Sequence, residues 1–222
     1  MIRAKKSRTF EYLFSIYNRG LIRRRFSAVW VQGLEELSKA APPSIICANH
    51  SSWWDGLIAL EVGRRAGLNN FFMMEERQLK NLRPFTRLGA FSVVREDARQ
   101  ALESIEFAAE VLRSKDNPSV WIFPQGEIRP NFERPLNFFS GIEHLAKRVI
   151  PCRAVPVGMR FEFLGGFKPE IFISIGSGVT ISNSDGVANL ANSIEDSVGS
   201  LLQKVESDIA SGRRDHYQNL IG

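Results

Sequence analysis

Six short apolar runs separated by helical stretches leave this chain few architectures to choose from. They are Ser44–Ala48, Phe71–Met74, Gly89–Val94, Ser119–Phe123, Ala154–Met159 and Glu170–Gly176. Each is short and mostly apolar, as strands buried in a sheet are. Pro42-Pro43 precede the first. Pro156 lies inside the fifth and marks that run as an edge strand or a bulge. Between the runs lie helix patterns. Gly56–Val62 is one, and a second starts at Gly141 and runs through Arg148. Ala98–Ser114 carries a stripe of Ala101, Leu102, Ile105, Ala108, Ala109 and Leu112. The last helix carries Leu190, Ile194, Val198, Leu201, Val205 and Ile209. Strands alternating with helices predict an α/β fold: a central mixed, largely buried sheet flanked by helices.

One strand-to-helix junction stands out for its chemistry, Asn49-His50-Ser51-Ser52-Trp53-Trp54-Asp55. On one straight helix, residues five apart point about 140° apart and cannot touch. His50 and Asp55 meet only if His50 lies in the turn and Asp55 in the first helical turn. A histidine held by a carboxylate is built as a general base: the carboxylate fixes the tautomer and stabilises the imidazolium. Such junctions are also where open α/β sheets bind ligands. Ser52 and Asp55 equally fit a helix capping box, a purely structural reading.

With 222 residues and a hydrophobic fraction of 44%, the chain can bury a sizeable core. Its net charge of +5 favours an anionic partner. Cys47 and Cys152 lie in or beside apolar runs and read as reduced core residues. No cluster has metal-ligand spacing, so no cofactor is expected. No apolar run approaches the roughly 18 residues of a spanning helix, and the N-terminus lacks a signal-peptide core. A cytoplasmic protein, peripheral on the cytoplasmic face of a membrane, is expected.

Residues 1–32 read as a separate basic, amphipathic region, followed by a catalytic domain over 33–215 and a loose tail over 216–222. Residues 1–25 hold eight Lys or Arg against one acid, Glu11. Phe10, Leu13, Phe14, Tyr17 and Leu21 follow helical spacing, with Thr9 as a possible cap. A basic amphipathic helix with aromatics predicts an anionic membrane surface as partner. No nucleic-acid signature accompanies the charge, and no nucleic acid is expected.

Four blocks together resemble the glycerophospholipid acyltransferase family, of the lysophosphatidate acyltransferase type. Asn49-His50 with Asp55 is similar to its first block, and Gly89 with Arg95 to its second. Phe123-Pro124-Gln125-Gly126 resembles the third, and Val155-Pro156-Val157 the fourth. The order and approximate spacing match over residues 40–160. The resemblance implies the glycerol-3-phosphate acyltransferase-like fold. It implies acyl transfer from acyl-CoA or acyl-carrier protein, as co-substrate, to the hydroxyl of a membrane lipid acceptor. His50 would be the base and Asp55 its orienter, with no acyl-enzyme. Ser51 and Ser52 lack a Gly-x-Ser-x-Gly elbow. Arg95 would hold acceptor phosphate, with Gln125, Gly126, Glu127 and Arg129 as further substrate-binding candidates. Backbone N–H groups near Gly126 or Ser52 are candidate oxyanion donors.

The third block departs from the family's usual Phe-Pro-Glu-Gly-Thr-Arg. Gln125 stands for Glu, Glu127 for Thr, and Arg129 lies one place late. The acceptor is therefore open between a lysophospholipid such as an acylglycerol phosphate and a glycolipid. Two other readings of the chain are a non-enzymatic lipid-binding module and a thioesterase-like hydrolase. Trp53 and Trp54 read as tunnel wall or core, Lys80, Arg83 and Arg87 as a possible basic rim, and His144 as structural.

Overall fold

The computed structural model describes residues 1–38, 43–114 and 117–222. Pro42, noted above ahead of the first apolar run, lies outside them. In chain order the elements are α1 (Arg8–Arg25), β1 (Ala28–Gln32), α2 (Leu34–Ser38), β2 (Ser44–Ala48), α3 (Asp55–Arg65), β3 (Asn69–Glu75), α4 (Glu76–Asn81), β4 (Ala90–Val93), α5 (Ala98–Leu112), β5 (Pro118–Ile122), α6 (Gly141–Arg148), β6 (Cys152–Glu162), β7 (Glu170–Ile175), β8 (Val179–Ile181), α7 (Leu190–Ala210) and β9 (Gln218–Asn219). A 3-10 turn, Arg83–Leu88, joins α4 to β4.

The sheet runs β4-β3-β5-β2-β6-β7-β1-β9, with β8 also paired to β6. From β4 to β6 all neighbours are parallel. β7 runs antiparallel to β6, parallel to β1, and β9 closes that edge antiparallel. The sheet is mixed and covered on both faces, as its apolar strands require. β2 shows how: Ile45 and Cys47 enter a core with α5, α6 and α7, while Ile46 and Ala48 enter one with α3 and Ile22 of α1.

Several sequence expectations are corrected. Pro156 is not in a sheet-edge strand, because β6 lies between β2 and β7. Its carbonyl accepts from Gly176 N at 3.0 Å on the β7 side, so its missing N–H faces the same way. Along β6 the pairing with β8 stops at Ala154 and the pairing with β7 starts only at Val157. A gap in the ladder tolerates proline inside a central strand.

Residues 1–32 do not stand apart from the domain. β1 is a strand of the sheet, and the first residues lie along β4, with Ser92 N donating to Ile2 O and Ile2 N to Ser92 Oγ. They cover that strand's open edge. The tail is not loose either. β9 pairs with β1, and Tyr217, Leu220 and Ile221 are buried. Asp208 anchors it, accepting from Tyr217 Oη and contacting His216. Ser7, not Thr9, caps α1, accepting from Phe10 N.

α1 splits its apolar residues between two sides. Phe14 packs on Phe85, and Arg87 stacks on Phe10. Asn18, fully buried, donates to Leu57 O of α3, and Arg19 pairs with Glu61. Tyr12, Leu13, Ile16 and Tyr17 face outward, each more than half exposed. Among the described residues no helix is long and apolar enough to cross a membrane.

Candidate active site

The parallel half of the sheet sets the site. β2, β3, β4 and β5 all end on one side, and residues at or just past their ends converge: His50, Glu75, Arg95, Phe123, Pro124 and Gly126. Beyond those ends lies an apolar groove of about 1030 Å³. Leu57 and Leu60 of α3, Met73 of β3, Phe85, Leu88 and Ile105 of α5 contribute to its walls. β3 was read as a buried strand, yet most of it is only half-buried, because Phe72, Met73 and Met74 face this groove. Leu102, expected in the core stripe of α5, also lines it and is 48% exposed.

His50 lies in the turn and Asp55 opens α3, so the two side chains meet. His50 Nδ1 is 2.8 Å from Asp55 Oδ2. The same carboxylate oxygen accepts the N–H groups of Ser51 at 2.7 Å and Ser52 at 2.9 Å. One carboxylate oxygen thus both contacts the imidazole and holds two backbone N–H groups of the turn. Ser52 Oγ bonds Trp54 N instead of completing a reciprocal box. Asp55 has no exposed surface and is acceptor-only when ionised. It draws the proton to Nδ1, which leaves a lone pair on Nε2. His50 lines the groove, with its ring stacked on Phe123 at 4.7 Å between centroids.

The backbone of this turn is held from three distant places. Asn49 is buried and pairs with both backbone groups of Met159 in β6, at 2.9 and 2.7 Å. His50 N donates to Gln125 Oε1 at 2.6 Å, and His50 O accepts from Arg129 N at 2.9 Å. Sequence reasoning had no signal for these ties, since partners lie 75 to 110 residues apart.

The other candidates divide. Arg95 lies against Gly126 and stacks on the Phe139 ring at 5.4 Å, beside the groove. It forms no ion pair among the described residues, and nearby Asp97 caps α5. Gly126 has φ +72°, and a Cβ there would run into the Arg95 guanidinium. Only glycine fits both the left-handed backbone and the cation above it. Gln125 is 2% exposed and turned toward the His50 backbone, not the groove. Arg129 sits between Glu127 at 2.8 Å and Glu133 at 2.9 Å, so its charge is already matched. At the two places suggested for oxyanion donors, two N–H groups are engaged. Ser52 N donates to Asp55, and Gly126 N closes a turn on Phe123 O.

Trp53 lines the groove at 53% exposure, while Trp54 packs edge-on against Phe26. Lys80 pairs with Glu76, and Arg87 is taken by Phe10. His144 lines the groove beside Gly141. Burial pushes the Cys47 thiol up to about 12 and that of Cys152 to about 11, so neither is a nucleophile at neutral pH.

Comparison with known proteins fits this geometry. The family model described as Acyltransferase matches residues 28–160, and the chain belongs to that family. Among solved structures it is similar to the 1-acyl-sn-glycerophosphate (LPA) acyltransferase PlsC from Thermotoga maritima, with a TM-score of 0.60 and 18% identity. That match covers 88% of this chain and 79% of the other. Comparison with curated proteins gave no match.

Proposed function

We propose that the chain moves a fatty acyl group from acyl-CoA or acyl-carrier protein to the hydroxyl of a lipid acceptor at a membrane surface. The observation that carries this is the His50–Asp55 pair, 2.8 Å apart, at the wall of an apolar groove large enough for an acyl chain. His50 Nε2 takes the acceptor hydroxyl proton as the oxygen attacks the thioester carbonyl. Asp55 stabilises the imidazolium. The tetrahedral oxyanion collapses, the C–S bond breaks, and the thiolate leaves with the proton from Nε2. General-base assistance of this kind contributes about 10² to 10⁴ in rate.

A direct transfer is favoured over an acyl-enzyme. Ser52 Oγ accepts from Trp54 N, and Ser51 Oγ is buried with no partner to activate it among the described residues. Arg95 supports an acceptor or donor that carries phosphate, because among the described residues no carboxylate pairs with this cation beside the groove. Membrane attachment is supported by the outward face of α1, with Tyr12, Leu13, Ile16 and Tyr17 followed by Arg23, Arg24 and Arg25.

The test is mass spectrometry of products from acyl-CoA and acyl-carrier protein offered with lysophospholipids and glycolipids. The expected result is a new acylated lipid that His50→Ala does not form. Free fatty acid as the sole His50-dependent product would assign a hydrolase instead.

A further inference from the structure

Resting on the membrane reading above, we infer that the tip between β6 and β7, Phe163 to Lys168, is a second contact with an anionic lipid surface. The tip is Phe163-Leu164-Gly165-Gly166-Phe167-Lys168. Phe167 is fully exposed, Phe163 is 70% exposed, and neighbouring Phe132 80%. Two phenylalanines of this short turn, with Phe132 from the loop after β5, are held out in water at a hydrophobic cost that no intramolecular contact returns. Packing within the fold does not explain them.

Charge selects the occupant. No acid lies within the tip. The flanking carboxylates are committed: Glu162 to Arg160, and Glu170 to Trp30 and Arg214. Lys168 within the tip and Arg25, which lines a hollow with Phe163 and Pro169, form no ion pair among the described residues. Phenylalanine with unpaired cations and no free carboxylate suits the boundary between acyl chains and anionic headgroups. A protein partner of mixed charge would leave those cations unmatched.

Position agrees. The hairpin is tied to the C-terminal end of α1: Ser27 N donates to Pro169 O at 3.0 Å, and Lys168 Nζ to Arg23 O. From there a chain of rings leads to the groove. Phe161 packs on Phe26, Phe26 on Trp54, and Trp54 on Trp53, which lines the groove. Two contacts, α1 and the hairpin, fix an orientation that one helix leaves free to roll. The hairpin thus acts as a positioning element for the groove mouth.

The test places an environment-sensitive fluorophore on Phe167→Cys, with Ser200→Cys on α7 as control. Cys47 and Cys152 are buried and will not label. Vesicles of phosphatidylcholine, with and without phosphatidylglycerol, are added, and sedimentation is measured in parallel. A blue shift at 167 but not at 200, requiring phosphatidylglycerol, is the expected result. Phe163→Ser with Phe167→Ser should weaken vesicle binding at least about tenfold, with the thermal midpoint and turnover of detergent-dispersed substrate unchanged. Sedimentation without a shift at 167 would overturn the hairpin contact and leave attachment through α1. No sedimentation of the parent protein would overturn the membrane reading itself. A shift that grows with protein concentration without vesicles would assign the tip to a second copy and also overturn the proposal.

Discussion

The side-chain oxygen of Gln125 accepts the backbone N–H of His50 at 2.6 Å, so the loop after β5 holds the turn after β2. This departure from the family pattern therefore bears on the His50 backbone and not on the groove.

Gln125→Leu should leave a buried N–H unpaired, costing roughly 1–3 kcal/mol, and should lower kcat by loosening His50. Thermal unfolding and steady-state kinetics report both. Gln125→Glu keeps an acceptor at the same place, so the acceptor preference should not move. A changed product spectrum for Gln125→Glu would show that the side chain reaches substrate after all.

Two variants separate chemistry from stability at the pair. His50→Ala should lower kcat by about 10² or more with little change in the unfolding midpoint. Asp55→Asn should lower both, because Asp55 Oδ2 also holds the N–H groups of Ser51 and Ser52. Equal midpoints for the two variants would contradict the dual role of that oxygen.

Arg95→Gln should raise KM for a phosphate-bearing substrate by about tenfold, the order of one charge-assisted contact, with kcat less affected. Gly126→Ala should reproduce part of that effect by displacing the guanidinium, and should also lower stability through backbone strain. A KM unchanged in both would remove Arg95 from substrate binding.

Glu61 gives a pH prediction. Burial alone would raise its carboxyl, but hydrogen bonds from Arg64 and Arg65 and the charge of Arg19 hold it below its ordinary value of 4.5. A depressed folded-state pKa stabilises above the unfolded value and loses that stabilisation as pH falls through the folded one. Acid below about 4.5 should therefore loosen the α1–α3 junction. Glu61→Gln should cost roughly 1–3 kcal/mol at neutral pH and flatten the acid limb of a stability–pH curve.

How much of this was legible in the sequence depended on separation along the chain. His50 and Asp55 lie five residues apart, and strand-to-helix geometry alone brought them together. The α/β class followed from periodicity. Gln125, Arg129 and Asn49 were visible as residues but not as ties, since no periodicity encodes a contact across β2, β5 and β6. Pro156 misled because propensity registers the missing N–H but not the gap that accommodates it. The stripe on α1 was seen, but its division was not. Phe14 turns to Phe85 and Leu13 to the outside because neighbours that are remote in sequence occupy one side only.

The groove and the base hang from different supports. His50 is fixed through β5, β6 and the start of α3, whereas much of the groove wall comes from β3, the 3-10 turn and the first turns of α5. Substitutions at Met73, Leu88, Leu102 or Ile105 can therefore deepen or shorten the groove without touching any bond that holds the pair. A scaffold divided this way can be retailored for a different hydrocarbon length by a handful of changes, each selectable separately, while the reacting atoms stay where they are.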